Sequence, residues 1–237
     1  MHYCGVMPLQ GALQLAVLEE VRATEPPIRL SALFFEPGSG EQVAAELRAL
    51  SDVVLAIGAP LSSPRDGSLR AADGLLAARG VAPQAPNAEL VRLVALLEGM
   101  AVYRPGEHSD ESGAVAEGSY RSFPIFETNA DGIFCALQGR RLPAKRHPLG
   151  MQLRIDELAG DHVIDDGGEL WHRRIEELDA VACALCAHRY AVGHASWLGS
   201  AEDGVIVLPG YSLPNEFPRA GVLPPVERLQ LPLVTRA

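Results

Sequence analysis

Apolar residues recur with two different periods along this chain, and the switches between the periods mark out its elements. Leu13, Leu15 and Val17 alternate with Gln14 and Ala16, the period of two expected of a strand. A short apolar run precedes it at residues 3–7. Residues 28–35 alternate again, with Leu30, Ala32 and Phe34 on one face. Gly11 and the pair Pro26-Pro27 punctuate these runs, and no helix-length segment separates them. Three successive strands without a crossover helix predict an antiparallel meander.

The period then changes. Ser39 followed by Gln42 is a capping box, and it opens a helix with Val43, Leu47 and Leu50 on one face. The segment Asp52-Val-Val-Leu-Ala-Ile-Gly58 is apolar on both faces, as a central strand must be when layers cover both sides. Reached through a helix, it is expected to run parallel to the strand it joins. Helices follow at 69–79, ending at Gly80, and after the cap Asn87, with Leu90, Val94 and Leu97. Residues 104–119 are polar and Gly-rich and read as an exposed, mobile loop. Residues 123–128 form another apolar strand ending at Glu127. Its Pro124 lacks an N–H, which predicts a position at or near a sheet edge. Helices are expected at 129–138 and 148–160, a long one at 170–192 stopping at Gly193, and a last strand at 204–208. From Pro209 the chain is proline-rich, with Pro224-Pro225, and is expected to wrap the surface. This gives one domain over 1–209 and a C-terminal extension over 210–237.

Composition narrows the class. Of 237 residues, 48% are hydrophobic and 21% charged, which is ordinary for a globular protein with a sizeable core. Lys and Arg number 20 against 30 Asp and Glu, a net charge of -10. That excludes a surface that coats nucleic acid non-specifically, but leaves room for a local basic site. Residues 1–8 have neither the basic start nor the apolar core of a secretory signal, and no apolar run reaches the length of a membrane span. With four cysteines and no disulfide framework, a reducing cytoplasm is the expected compartment. Cys183-x-x-Cys186 lies in an Ala-rich helical stretch, which predicts buried thiols rather than a redox or zinc site.

Three segments carry a resemblance. Ala56-Ile-Gly-Ala-Pro-Leu61 with Arg70-x-x-Asp73 is similar to the "Ala-Ile-Asp-x-Pro-Leu … Arg-x-x-Asp" stretch of a family of uncharacterised, predicted RNase H-like nucleases. Leu142-Pro-x-Lys145 with Gly150-x-x-x-Arg154-x-x-x-Leu158 resembles its "Pro-x-Lys … Gly-x-x-x-Arg" segment. Leu178-Asp-Ala-Val-Ala-Cys-Ala-Leu-Cys-Ala187 and Glu202-Asp-Gly-Val-Ile-Val-Leu-Pro209 resemble its C-terminal helix and closing strand. The likeness runs from about residue 3 to 209. It implies an α/β RNase H-like fold: a mixed sheet, starting with the meander, with helices on both faces.

The resemblance also implies a chemistry. Carboxylates at the ends of two neighbouring strands and on a C-terminal helix would hold two divalent ions, Mg²⁺ or Mn²⁺, for phosphodiester hydrolysis. Here the pattern is broken. The first-strand acid falls at Met7 and the crossover-strand acid at Gly58, and neither residue can ligate a hard ion. Glu127 and Asp179 match the two later positions and are the candidate catalytic or metal-binding residues. Glu176, three residues before Asp179 and so on the same helical face, is a further candidate ligand.

These departures predict a divergent, non-catalytic or weakly catalytic binding protein. Two alternatives stand beside it. One is an active nuclease with a rearranged site that recruits Glu176 or Asp73. The other is a structural subunit that docks through residues 213–233. Arg70 and Asp73, three apart, read either as an ion pair or as an anion contact beside the pocket. Arg140, Arg141, Lys145, Arg146, His147 and Arg154 are the one basic concentration in the chain, and Lys145 is its only lysine. Within it, Lys145, Arg146 and Arg154 are the candidates to bind a nucleic-acid phosphate or another anion.

Overall fold

A computed structural model describes residues 1–24, 26, 28–61, 69–97, 101–102, 124–200 and 204–219. The loop expected at 104–119 and the tail beyond 219 lie outside these residues. Strands β1 (His2–Leu9), β2 (Ala12–Arg22) and β3 (Ile28–Phe34) form the predicted antiparallel meander. Gly11, at φ +72°, makes the tight β1–β2 turn in a conformation that side chains with a Cβ rarely adopt. Helix α1 (Gly40–Ala49), capped at Ser39 through the Ser39–Gln42 box, carries the chain across to β4 (Val53–Ile57), which lies parallel to β1.

The remaining elements are α2 (Ala71–Ala78), α3 (Ala88–Leu96), β5 (Ala101–Val102), β6 (Pro124–Glu127), α4 (Ala130–Gln138), α5 (Pro148–Gly160), β7 (Val163–Asp165), α6 (Ile175–Ala191), β8 (Ala195–Ser200) and β9 (Gly204–Pro209). The strands make one nine-stranded mixed sheet in the order β7-β3-β2-β1-β4-β6-β9-β8, with β5 also paired to β6. Layers cover both faces of its centre. Cys4, Val6, Leu13, Leu15, Val17, Leu55 and Ile57 pack under α1 and α3; Tyr3, Met7, Ala16, Leu18, Val54 and Ala56 share the other core with α6. This is why β4 needed apolar residues in every position.

Helix α6 is buried continuously from Glu177 to Ala187, so it is apolar on all sides there apart from Glu177 and Asp179. Its small residues set how near it comes to the sheet. A Cβ on Gly5 would lie 2.0 Å from the Ala180 carbonyl oxygen and 2.4 Å from the Ala184 nitrogen. Cys183 and Cys186 are buried free thiols in this packing.

Two expectations are corrected. The strand containing Pro124 is not at an edge: β6 lies between β4 and β9. Pro124 is its first residue, one of the few ladder positions that tolerate a missing N–H inside a sheet. The predicted helix at 170–192 is two elements. A 3-10 turn at Leu170–His172 is followed by extended backbone at Arg173 and Arg174, and α6 begins after them. The Glu177 carboxylate accepts the Arg174 N–H at 2.8 Å and fixes that start.

Part of the C-terminal extension is described, and it packs against its own domain. Phe217 is fully buried, its N–H donates to the Arg79 carbonyl at 3.1 Å, and the Arg141 N–H donates to the Pro218 carbonyl at 2.8 Å. No helix among the described residues is long and apolar enough to cross a membrane.

Candidate functional site

Strands β1, β4 and β6 are parallel and end on the same side of the sheet. In open α/β sheets, ligands gather at such carboxyl ends. The register places Val6 beside Ile57 and Ile57 beside Glu127. Met7 and Gly58, each the next residue along, are therefore neighbours, and Glu127 lies one strand over. Asp179 lies on α6 one turn before Cys183, whose thiol touches Met7. The sequence-predicted positions thus reach one end of the sheet, but their side chains do not form a metal cage.

Met7 is buried, with its Sδ 3.5 Å from the Cys183 Sγ. A Cβ on Gly58 would fall 2.0 Å from that Sδ and 2.9 Å from the Cys183 Sγ. The space an acid at position 58 would occupy is filled by soft sulfur, which is a poor ligand for Mg²⁺ or Mn²⁺.

Glu127 is buried and already engaged. Its Oε1 accepts the Leu61 N–H at 2.7 Å and Arg70 Nη1 at 2.9 Å; its Oε2 accepts Arg70 Nη1 at 2.7 Å. Arg70 stands at the N-cap position of α2 without a side-chain capping bond, and its guanidinium also donates to Asp73, from Nε at 2.8 Å and Nη2 at 3.1 Å. Arg70 and Asp73 are themselves buried, so this is an internal network rather than a surface pair. Burial pushes the Glu127 carboxyl above its ordinary range, and Arg70 works against that rise. Burial also opposes charge on Arg70, but hydrogen bonds to Asp73 and the charge of Glu127 outweigh it and hold the guanidinium protonated.

Asp179 has its own cation. Its Oδ2 accepts Lys145 Nζ at 2.6 Å, while its Oδ1 is buried with no hydrogen-bond partner among the described residues. Burial lifts its pKa from 3.8 to about 6 despite Lys145; Asp131 adds to the rise, and Arg154 opposes it. Asp179 is 1% exposed and the Lys145 side chain 35%, so the ammonium still reaches solvent.

The segment that resembles the family's Pro-x-Lys and Gly-x-x-x-Arg is a device for holding Lys145 there. A Cβ on Gly150 would lie 2.2 Å from the Ala144 carbonyl oxygen, so only glycine lets α5 approach this loop. Arg154, buried on the next turn, donates from Nη1 to the carbonyls of Gly150 at 2.9 Å and Pro143 at 3.1 Å. Its Nη2 pairs with Asp131 at 2.6 Å, and its guanidinium lies 5.3 Å above the Phe134 ring.

The basic concentration does not make one cationic face. Arg140 donates to Gln138, Arg141 pairs with Glu216, His147 caps α5, and Arg154 points inward. Arg146 is exposed, and no ion pair engages it among the described residues. Glu176 is half-buried with no ion pair there, whereas its neighbour Glu177 carries the capping role. Sequence reasoning missed Asp131, which joins Lys145 and Arg154 around Asp179. Its only signal was a lone acid in the first turn of an otherwise apolar helix. It also missed Gln14, fully buried opposite Met7, with its amide tied to the Leu15 and Phe35 carbonyls.

The residues present do not fit the two-ion group that the resemblance implies. Two positions offer no oxygen, and the two surviving carboxylates are neutralised by cations of the chain itself. Among the described residues, no cluster of three or more His, Cys, Asp or Glu could hold a metal ion. Comparison with protein-family models, with curated proteins and with solved structures gave no match.

Proposed function

We propose that this chain is a divergent RNase H-like protein that has given up two-metal phosphodiester hydrolysis and works by binding rather than by catalysis. An antiparallel meander followed by a crossover to a strand parallel to the first supports the fold assignment. One observation carries the functional reading: the Met7 side chain fills the place of the crossover-strand acid, while Glu127 and Asp179 are clamped by Arg70 and Lys145. A two-ion mechanism needs carboxylates that converge on exchangeable cations. The guanidinium and ammonium groups that hold Glu127 and Asp179 neutralise their charge and leave those carboxylate oxygens engaged by the chain rather than by an exchangeable ion that could activate water. The inward pairing of Arg70 and Arg154 argues against phosphate capture at this same place.

The test is a nuclease assay on single-stranded DNA, duplex DNA and RNA with Mg²⁺ and with Mn²⁺. No cleavage above buffer is expected. Cleavage that requires the ion and is lost in Glu127→Ala or Asp179→Ala would overturn the proposal in favour of an active nuclease with a rearranged site.

A further inference from the structure

Gly58 is a glycine for a reason that lies outside its own backbone. It is absent from the glycines at positive φ, so its conformation is open to any residue. What excludes a side chain is sulfur, chiefly that of Met7. The Met7 Sδ would sit 2.0 Å, and its Cε 3.3 Å, from a Cβ at position 58, with the Cys183 Sγ 2.9 Å from the same point. The thioether is flexible but hemmed in, being 5% exposed and already in contact with Cys183. The two residues are level neighbours at the carboxyl ends of a parallel strand pair.

We propose that Met7 and Gly58 are one interlocked exchange: the thioether of Met7 occupies the volume of a side chain at position 58 and closes this end of the sheet to hard cations. The proposal deepens the non-catalytic reading and rests on it. Two consequences follow. A side chain at 58 is tolerated only when Met7 is shortened. Carboxylates placed at both positions would also open a latent cation site. Asp179 lies one helical turn from Cys183, which touches Met7, and its Oδ1 has no partner to give up among the described residues.

Both consequences are measurable. In the first arm, thermal midpoints are compared for wild type, Met7→Ala, Gly58→Ala and the double alanine variant. Gly58→Ala is expected to lower the midpoint by several degrees, and most of that loss is expected to vanish in the Met7→Ala background. An equal loss in both backgrounds would overturn the interlock. In the second arm, Mn²⁺ binding is read by the loss of its free electron-resonance signal. The variant carrying Met7→Asp and Gly58→Asp is expected to bind at least about tenfold more tightly than wild type, since carboxylate count sets affinity for hard ions. The uncharged control with Met7→Asn and Gly58→Asn should show no gain. A folded double-acid variant that binds no better than wild type would overturn the latent site, and if it does not fold, the alanine cycle decides. Tight Mn²⁺ binding by the wild-type protein is a separate outcome, which would fail the non-catalytic reading itself.

Discussion

Replacing Lys145 by methionine removes the ammonium from Asp179 while keeping a stem of similar length. In the wild-type protein the Asp179 carboxyl titrates at about 6 instead of 3.8. Its folded pKa is the higher one. The stability it contributes is therefore complete below pH 3.8 and is lost as pH rises through 6. That loss amounts to about 3 kcal/mol, at about 1.4 kcal/mol per pH unit. Lys145 limits it. Without it, both carboxylate oxygens lack a partner among the described residues, and the carboxyl holds its proton to higher pH, with Asp131 pushing the same way and Arg154 against.

Lys145→Met is thus expected to be mild at pH 5, about 1 kcal/mol or less, and to reach the about 3–5 kcal/mol of a broken buried pair at pH 8.5. Urea denaturation at the two pH values reads this directly, and subtracting wild type cancels the other titrations. Adding Asp179→Asn should remove the pH dependence of the difference, because the amide has no proton to gain. A loss of equal size at pH 5 and 8.5, or no loss at 8.5, would refute the view that Asp179 depends on Lys145.

Three further substitutions test separate contacts. Gly5→Ala drives a methyl into the backbone of α6. It should destabilise by about 3 kcal/mol or more, the upper end of overpacking, and an unchanged urea midpoint would contradict that contact. Arg70→Met strands Glu127 and Asp73 and should destabilise by about 3–5 kcal/mol; the loss should deepen as pH rises, since Arg70 no longer counters the burial of Glu127, and Glu127→Gln should restore part of it. Phe217→Ala empties a fully buried site where the extension meets α2 and should lower stability by about 3–5 kcal/mol in calorimetry, whereas an unchanged melting midpoint would mean that the extension is not part of the folded core.

The elements that periodicity revealed are those whose burial is regular. Strand β4 faces a packed layer on each side, so every residue from Val53 to Ile57 had to be apolar, and the pattern declared it. Strand β7 is three residues long, too short to show any period. Strand β8 is an edge with Ser and Gly among its residues, and its burial is irregular. Pro124 misled because a proline at the first position of a strand and one on an edge leave the same mark in sequence.

The site divided in the same way. That positions 7 and 58 carry Met and Gly where the resemblance would expect acids could be read from the sequence, since each is a single residue. The cations that hold Glu127 and Asp179 could not. Arg70 reaches Glu127 across 57 positions and Lys145 reaches Asp179 across 34, distances over which linear spacing carries no signal. Adjacency along the chain likewise suggested one basic face for residues 140–154. Helix α5 instead turns Arg154 into the core, and its preceding loop leaves Arg146 outside.

With Glu127 and Asp179 held by Arg70 and Lys145, the carboxyl ends of β1, β4 and β6 should be closed to divalent ions. The most direct measurement is a titration of the wild-type protein with Mn²⁺ monitored by electron resonance. The expected result is a free-ion signal that matches buffer into the millimolar range. Saturable, stoichiometric binding that disappears in Asp179→Asn or Glu127→Gln would contradict it.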